Sequence, residues 1–146
     1  MSTVSRTVRT DASPQQVFDY LSDFTTTEEW DPGTVSTERV SGDGGVGTVY
    51  RNVSKFLGNE TELTYTTIDL REGALVQMRG ENKTVTATDT ISITPDGTGS
   101  VVEYTAEFDW HGAAKLATPI LAPALKKLGD DTEKSLHEHL GRLPGA

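Results

Sequence analysis

The stretch Val102-Glu103-Tyr104-Thr105-Ala106-Glu107-Phe108-Asp109-Trp110 decides the fold. Its apolar residues fall at every second position, the period of a strand with one buried face. The strand runs into His111-Gly112, and from Thr118-Pro119 the period becomes helical. Leu121, Leu125, Leu128, Thr132, Leu136, Leu140 and Leu143 then form one stripe. Pro123 and Gly129 are points at which this helix can bend, and Pro144-Gly145 is its stop signal. One long helix closing over an antiparallel sheet implies a groove between them, and small molecules bind in grooves.

Upstream, residues 3–10 are β-branched and alternating, which predicts a first strand. Ser13-Pro14-Gln15-Gln16 is a helix start: a capping serine, a proline at the first helical position and a glutamine placed for a capping box. Val17, Phe18 and Leu21 give that helix its apolar face. Thr25 to Glu29 predicts a second, short helical turn, ended by Trp30-Asp31-Pro32-Gly33. Strands are expected near 34–41, 46–56, 60–71, 74–81, 84–95 and 99–110, separated by short hairpin signals such as Pro95-Asp96-Gly97. In the 60–71 segment Leu63 and Tyr65 share one parity and Ile68 and Leu70 the other, so a bulge is expected between them. The expectation is a single α+β domain spanning 1–146: about seven antiparallel strands, two short helices after the first strand, and one long C-terminal helix.

A net charge of −9 and scattered Lys and Arg residues argue against a nucleic-acid partner, because a phosphate backbone is bound by neutralising it. The chain has no cysteine, which excludes disulfides and thiolate chemistry. No apolar run approaches the roughly 20 residues needed to cross a bilayer, so no membrane insertion is expected. The first residues lack the apolar core of a signal peptide, so the expected location is the cytoplasm. The sequons at Asn52, Asn59 and Asn82 are then chance matches.

Gly42-Asp43-Gly44-Gly45-Val46-Gly47 has the form G-x-G-x-x-G, but a strand follows it where the dinucleotide motif needs a helix N-terminus, so it reads as a hairpin turn. His137 and His139 lie on different sides of a helix and cannot chelate one ion. His111, at the strand-to-helix junction, is a candidate proton carrier. No metal or cofactor motif is present. Asp89 breaks the pattern: it shares parity with Val85, Ala87, Ile91 and Ile93, which places a carboxylate on the apolar face. Such a group needs a partner (Arg51, Arg79 or a tyrosine) or a cavity, or else a register break that turns it outward, and both facings stay open. The aromatics Trp30, Tyr50, Tyr65, Tyr104 and Phe108 form a second constellation, suited either to a core or to the wall of a ligand cavity.

The order of elements resembles the helix-grip fold of the START-like, or SRPBCC, superfamily, and within it the bacterial polyketide cyclase/dehydrase and lipid-transport family. The matching pieces are Ala12-Ser13-Pro14-Gln15-Gln16-Val17-Phe18, Leu21-Ser22-Asp23, Trp30, Gly45 to Gly47, Ala87-Thr88-Asp89-Thr90-Ile91, Pro95-Asp96-Gly97-Thr98-Gly99, and Tyr104-Thr105-Ala106-Glu107 before Gly112. The resemblance implies a hydrophobic cavity between sheet and helix and no shared catalytic motif. The expected ligand-binding residues are Trp30 at the entrance, Tyr50, Tyr65, Tyr104, Phe108 and Leu121 along the wall, and Asp89 as a polar anchor. The leading expectation is a binder of a small hydrophobic or aromatic molecule. A cyclase or dehydratase using Asp89, His111 or a tyrosine for proton movement is the alternative. A member with a filled cavity, acting through a protein partner, is a third. Monomer and homodimer both stay open.

Overall fold

A computed structural model describes residues 1–144 of the chain. The elements are β1 (Ser2–Thr10), α1 (Pro14–Leu21), a 3-10 turn (Phe24–Thr26), α2 (Thr27–Trp30), β2 (Thr34–Ser41), β3 (Val49–Phe56), β4 (Asn59–Arg71), β5 (Leu75–Glu81), β6 (Val85–Asp96), β7 (Gly99–Trp110), a 3-10 helix (Gly112–Ala117) and α3 (Thr118–Leu140). Seven strands form one sheet in the order β1-β7-β6-β5-β4-β3-β2, every pair antiparallel. Hairpins join β2 through β7 in sequence. β1 pairs with β7, so the first and last strands lie side by side.

Local chemistry fixes the entry to α1. Ser13 Oγ accepts from the Gln16 N–H at 3.2 Å, and the Ser13 N–H donates to Gln16 Oε1 at 3.1 Å, a complete capping box. The next turn is capped by Asp23, whose carboxylate accepts from both the N–H and the hydroxyl of Thr25. The bulge in β4 is present. Thr67 pairs with Met78 and Asp69 with Gln77, leaving Ile68 as the extra residue. β3 begins at Val49 instead of 46, because Gly42, Gly44 and Gly47 all adopt positive φ and extend the turn. The edge strand β2 has two register breaks of its own, at Val35 and Val40, both exposed. The long helix ends at Leu140, one turn before Leu143. Gly145, half of its expected stop signal, lies outside the described residues.

The core lies between the inner face of the sheet and the helices. Val17, Phe18 and Leu21 of α1, Val76 of β5, Ile91 and Ile93 of β6, Val102 of β7, and Leu136 and Leu140 of α3 are all buried there. α3 packs chiefly on β1. Gly129 permits the approach: a Cβ at that position would lie 2.6 Å from Val4 Cγ1. Arg6 of β1 then reaches α3, donating to Asp130 Oδ1 at 2.9 Å and to the Lys126 carbonyl at 3.2 Å.

A second glycine shapes the middle of the sheet. Tyr50, Tyr65, Gly80, Ala87 and Phe108 are directly paired across β3, β4, β5, β6 and β7. The Tyr65 ring lies over Gly80, where a Cβ would stand 2.5 Å from its Cζ. Gly80→Ala is therefore expected to destabilise the protein by about 1–3 kcal/mol through overpacking. Urea unfolding measures it, and an unchanged midpoint would mean that Tyr65 moves freely aside.

Candidate functional site

Between the sheet and α3 lies a cavity of about 140 Å³. Its existence follows from side-chain size. Gly80 and Ala87 are the two smallest residues in their row, and they separate the rings of Tyr65 and Phe108. α3, held against β1, does not bring its backbone down onto these strands. The space left is lined by Leu63 and Tyr65 of β4, Val85, Ala87 and Asp89 of β6, Tyr104, Phe108 and Trp110 of β7, and Leu125, Leu128 and Thr132 of α3. Asp31 and Gly33, after α2, and Ser54, Lys55, Phe56 and Thr61, from the β3–β4 hairpin, complete it.

Four residues expected from the sequence come together in this wall: Tyr65, Asp89, Tyr104 and Phe108. Three others do not line it. Trp30 is buried behind Tyr104, edge-on at 6.0 Å between ring centroids, and its Nε1 donates to Thr26 Oγ1. Tyr50 is fully buried against Phe24, with ring centroids 5.6 Å apart. Leu121 lies one helical turn before Leu125, beyond the cavity. His111 is directed away from it, with Nε2 2.8 Å from Thr86 Oγ1 on the outer face of the sheet.

Asp89 occupies an unusual position. Val4, Ala106, Asp89, Met78 and Thr67 form one row across the inner face, so the carboxylate is flanked by apolar neighbours. The surface it keeps is part of the cavity wall. Neither expected arginine reaches it. Arg51 pairs with Glu38 and Glu62 outside the sheet, and Arg79 is exposed on the opposite face. Burial first, then the nearby Asp31 carboxylate, pushes the Asp89 carboxyl up to about 7.

Asp31 was legible only as part of a turn. Its Oδ1 accepts from the Gly33 N–H at 3.1 Å and its Oδ2 from the Thr34 hydroxyl at 2.9 Å. Thr34 and Thr37 in turn accept from Asn52 Nδ2, whose Oδ1 takes the Ser54 hydroxyl. This network fixes a second carboxyl in the cavity wall. Burial raises its pKa, while those two hydrogen bonds oppose the rise. Burial, then the fields of Asp89 and Asp31, push the Tyr65 and Tyr104 phenols well above their ordinary value. Both stay neutral hydroxyls at any physiological pH.

Residues 1–141 match the family described as polyketide cyclase / dehydrase and lipid transport. The chain belongs to this family. Solved structures with its START-like, helix-grip fold resemble the chain over nearly its full length. The ZhuI aromatase/cyclase from Streptomyces sp. R1128 is 17% identical with a TM-score of 0.81, covering 97% of this chain and 94% of its own. TTHA0849 from Thermus thermophilus is 17% identical with a TM-score of 0.80, covering 95% and 97%. A START superfamily protein from Mycobacterium smegmatis is 16% identical with a TM-score of 0.73, covering 94% and 96%. At such identities the likeness is one of fold. No curated protein matches the chain.

The raised Asp89 value has a defined consequence for stability. In the unfolded chain this carboxyl ionises near its ordinary 3.8; in the folded protein it ionises only near 7. The unfolded state therefore releases the proton first, and folded stability falls as pH rises through this interval. At 1.36 kcal/mol per pH unit the full cost is roughly 4 kcal/mol. Asp89→Asn removes it. The variant is expected to exceed the wild type in stability by up to roughly 4 kcal/mol at pH 8, with the gain vanishing near pH 4, as read by urea unfolding at both pH values. An equal effect at both would show that Asp89 ionises normally.

Proposed function

We propose that the protein binds a small hydrophobic or aromatic molecule, lipid- or polyketide-like in character, in the cavity between the sheet and α3. The observation that carries this reading is the composition of the wall. Five aromatic side chains and five aliphatic ones line a space whose acidic groups are Asp89 and Asp31. Tyr65, Asp89, Tyr104 and Phe108 are the proposed ligand contacts. Trp30 and Tyr50 support them from behind, through Tyr104 and through the Phe24–Tyr65 contact at 4.6 Å.

Size sets a limit on the occupant. An apolar cavity of about 150 Å³ holds one benzene ring. The cavity here, about 140 Å³, accepts one ring or a short branched chain as it stands. A longer acyl chain or fused ring system requires α3 and the β3–β4 hairpin to separate.

A second reading, catalysis of a cyclisation or dehydration in the same cavity, is supported by one observation. A carboxyl poised near 7 beside neutral phenols can take up or release a proton near neutral pH. In that case turnover would show a pH dependence that Asp89→Asn abolishes.

Native mass spectrometry of gently purified protein tests the binding reading. A defined small-molecule adduct, lost on denaturation, is expected. Leu128→Trp places an indole where the cavity now is. It should remove the adduct and any thermal stabilisation by toluene or indole, with far-UV circular dichroism unchanged. A bare wild-type chain that neither toluene nor indole stabilises would instead identify a closed core.

A further inference from the structure

Three observations bear on the charge of the occupant. The first is the imbalance of the wall: Asp31 and Asp89 face the cavity, and the cation among the lining residues, Lys55, is exposed at the β3–β4 hairpin. Exposed charges act weakly through solvent, whereas enclosed ones are felt in full. The second is the absence of any internal neutralising group beside Asp89 among the described residues. β5 and β7 present Met78 and Ala106 on either side of it, and the cavity face of α3 presents Leu125, Leu128 and Thr132. Arg6, the cation that β1 turns toward α3, is taken by Asp130 and by Glu133 at 3.8 Å. The third is the walls themselves. The rings of Tyr65, Tyr104, Phe108 and Trp110 present π faces and edges around the same space, and ring faces attract cations.

Above pH 7 a fatty acid or other carboxylate entering this cavity would meet two like charges. A neutral hydrocarbon would leave the Asp89 carboxylate without a partner, at a desolvation cost. A protonated amine on an aromatic or compact apolar body answers both problems. Its ammonium group donates hydrogen bonds to the carboxylate, and its apolar part fills the space between Tyr65 and Phe108. Resting on the binding function proposed above, we infer that the cavity selects cationic amphiphiles, small aromatic or branched amines, with Asp89 as the ammonium receptor and Asp31 as the supporting charge.

Three probes of nearly equal size separate the possibilities: benzylamine, benzyl alcohol and benzoate, each titrated calorimetrically into the full chain. At pH 8 benzylamine is expected to bind at least tenfold more tightly than benzyl alcohol, with benzoate weakest. Asp89→Asn should bring benzylamine to the level of the alcohol and leave the alcohol nearly unchanged. Because the carboxyl must ionise to receive the ammonium, wild-type affinity for benzylamine should fall about tenfold between pH 8 and pH 6, while that for benzyl alcohol stays flat. Asp31, Tyr65 and Tyr104 are the other titratable groups facing Asp89, and the two phenols remain neutral across that range. Equal affinities for the amine and the alcohol, or a preference for benzoate, would overturn the inference while leaving the cavity a ligand site. Failure of all three probes to bind would overturn it together with the proposed function.

Discussion

The contact between Gly129 and β1 governs the molecule. A single helix cannot cover seven strands, so where it touches down decides which part of the sheet is filled by backbone and which by side chains alone. Without a Cβ at 129, α3 seats directly on Val4, and the Arg6 guanidinium ties the same turn to Asp130. The C-terminal half, with Leu136 and Leu140, is thereby drawn into the core. The preceding turns, with Leu125 and Leu128, are left spanning the middle of the sheet. Beneath them lie the small side chain of Ala87 and the Tyr65 ring, laid flat over Gly80, neither of which rises far enough to meet the helix. The cavity thus depends on two glycines on different elements, one allowing α3 to approach β1 and one letting a ring lie flat with a gap above it.

That gap holds a group that the fold does not need. Every other inward position in its row is apolar or a hydroxyl: Val4, Ala106, Met78 and Thr67. Replacing a lone carboxylate in such a row by an uncharged side chain raises stability, so its presence is difficult to attribute to folding. Asp31 differs, because its two hydrogen bonds brace the turn into β2 and would justify it without any ligand. The two carboxyls share a cavity but have different physical reasons to be there.

Much of this arrangement could be read from residue order. The capping box at Ser13, the bulge at Ile68 and the inward parity of Asp89 are local or period-two properties, and the structure carries all three. Positions that depend on how elements dock were harder to read. The leucine stripe of α3 runs the length of the helix, and nothing in its periodicity distinguishes Leu121 from Leu125 or Leu128. Only the seating of Gly129 decides which of them hangs over the gap. Tyr50 and Tyr65 have the same chemistry, sit side by side in one row and both pack on Phe24, yet only Tyr65, lying flat over Gly80, reaches the cavity wall. Asp31 was hidden because a turn already accounted for it.

The free edge of β2 carries a separate meaning. Val35 and Val40 are the residues at which its pairing with β3 loses step. An open strand edge is a template on which foreign chains can polymerise, and an acidic domain with valines exposed there would be vulnerable. With two interruptions in eight residues, an incoming strand finds only a few consecutive donors and acceptors in register before the ladder breaks. The Thr37 N–H is moreover taken by Glu28 Oε2 at 2.8 Å, so the edge can keep its two exposed valines while resisting the cross-β stacking that leads to fibres.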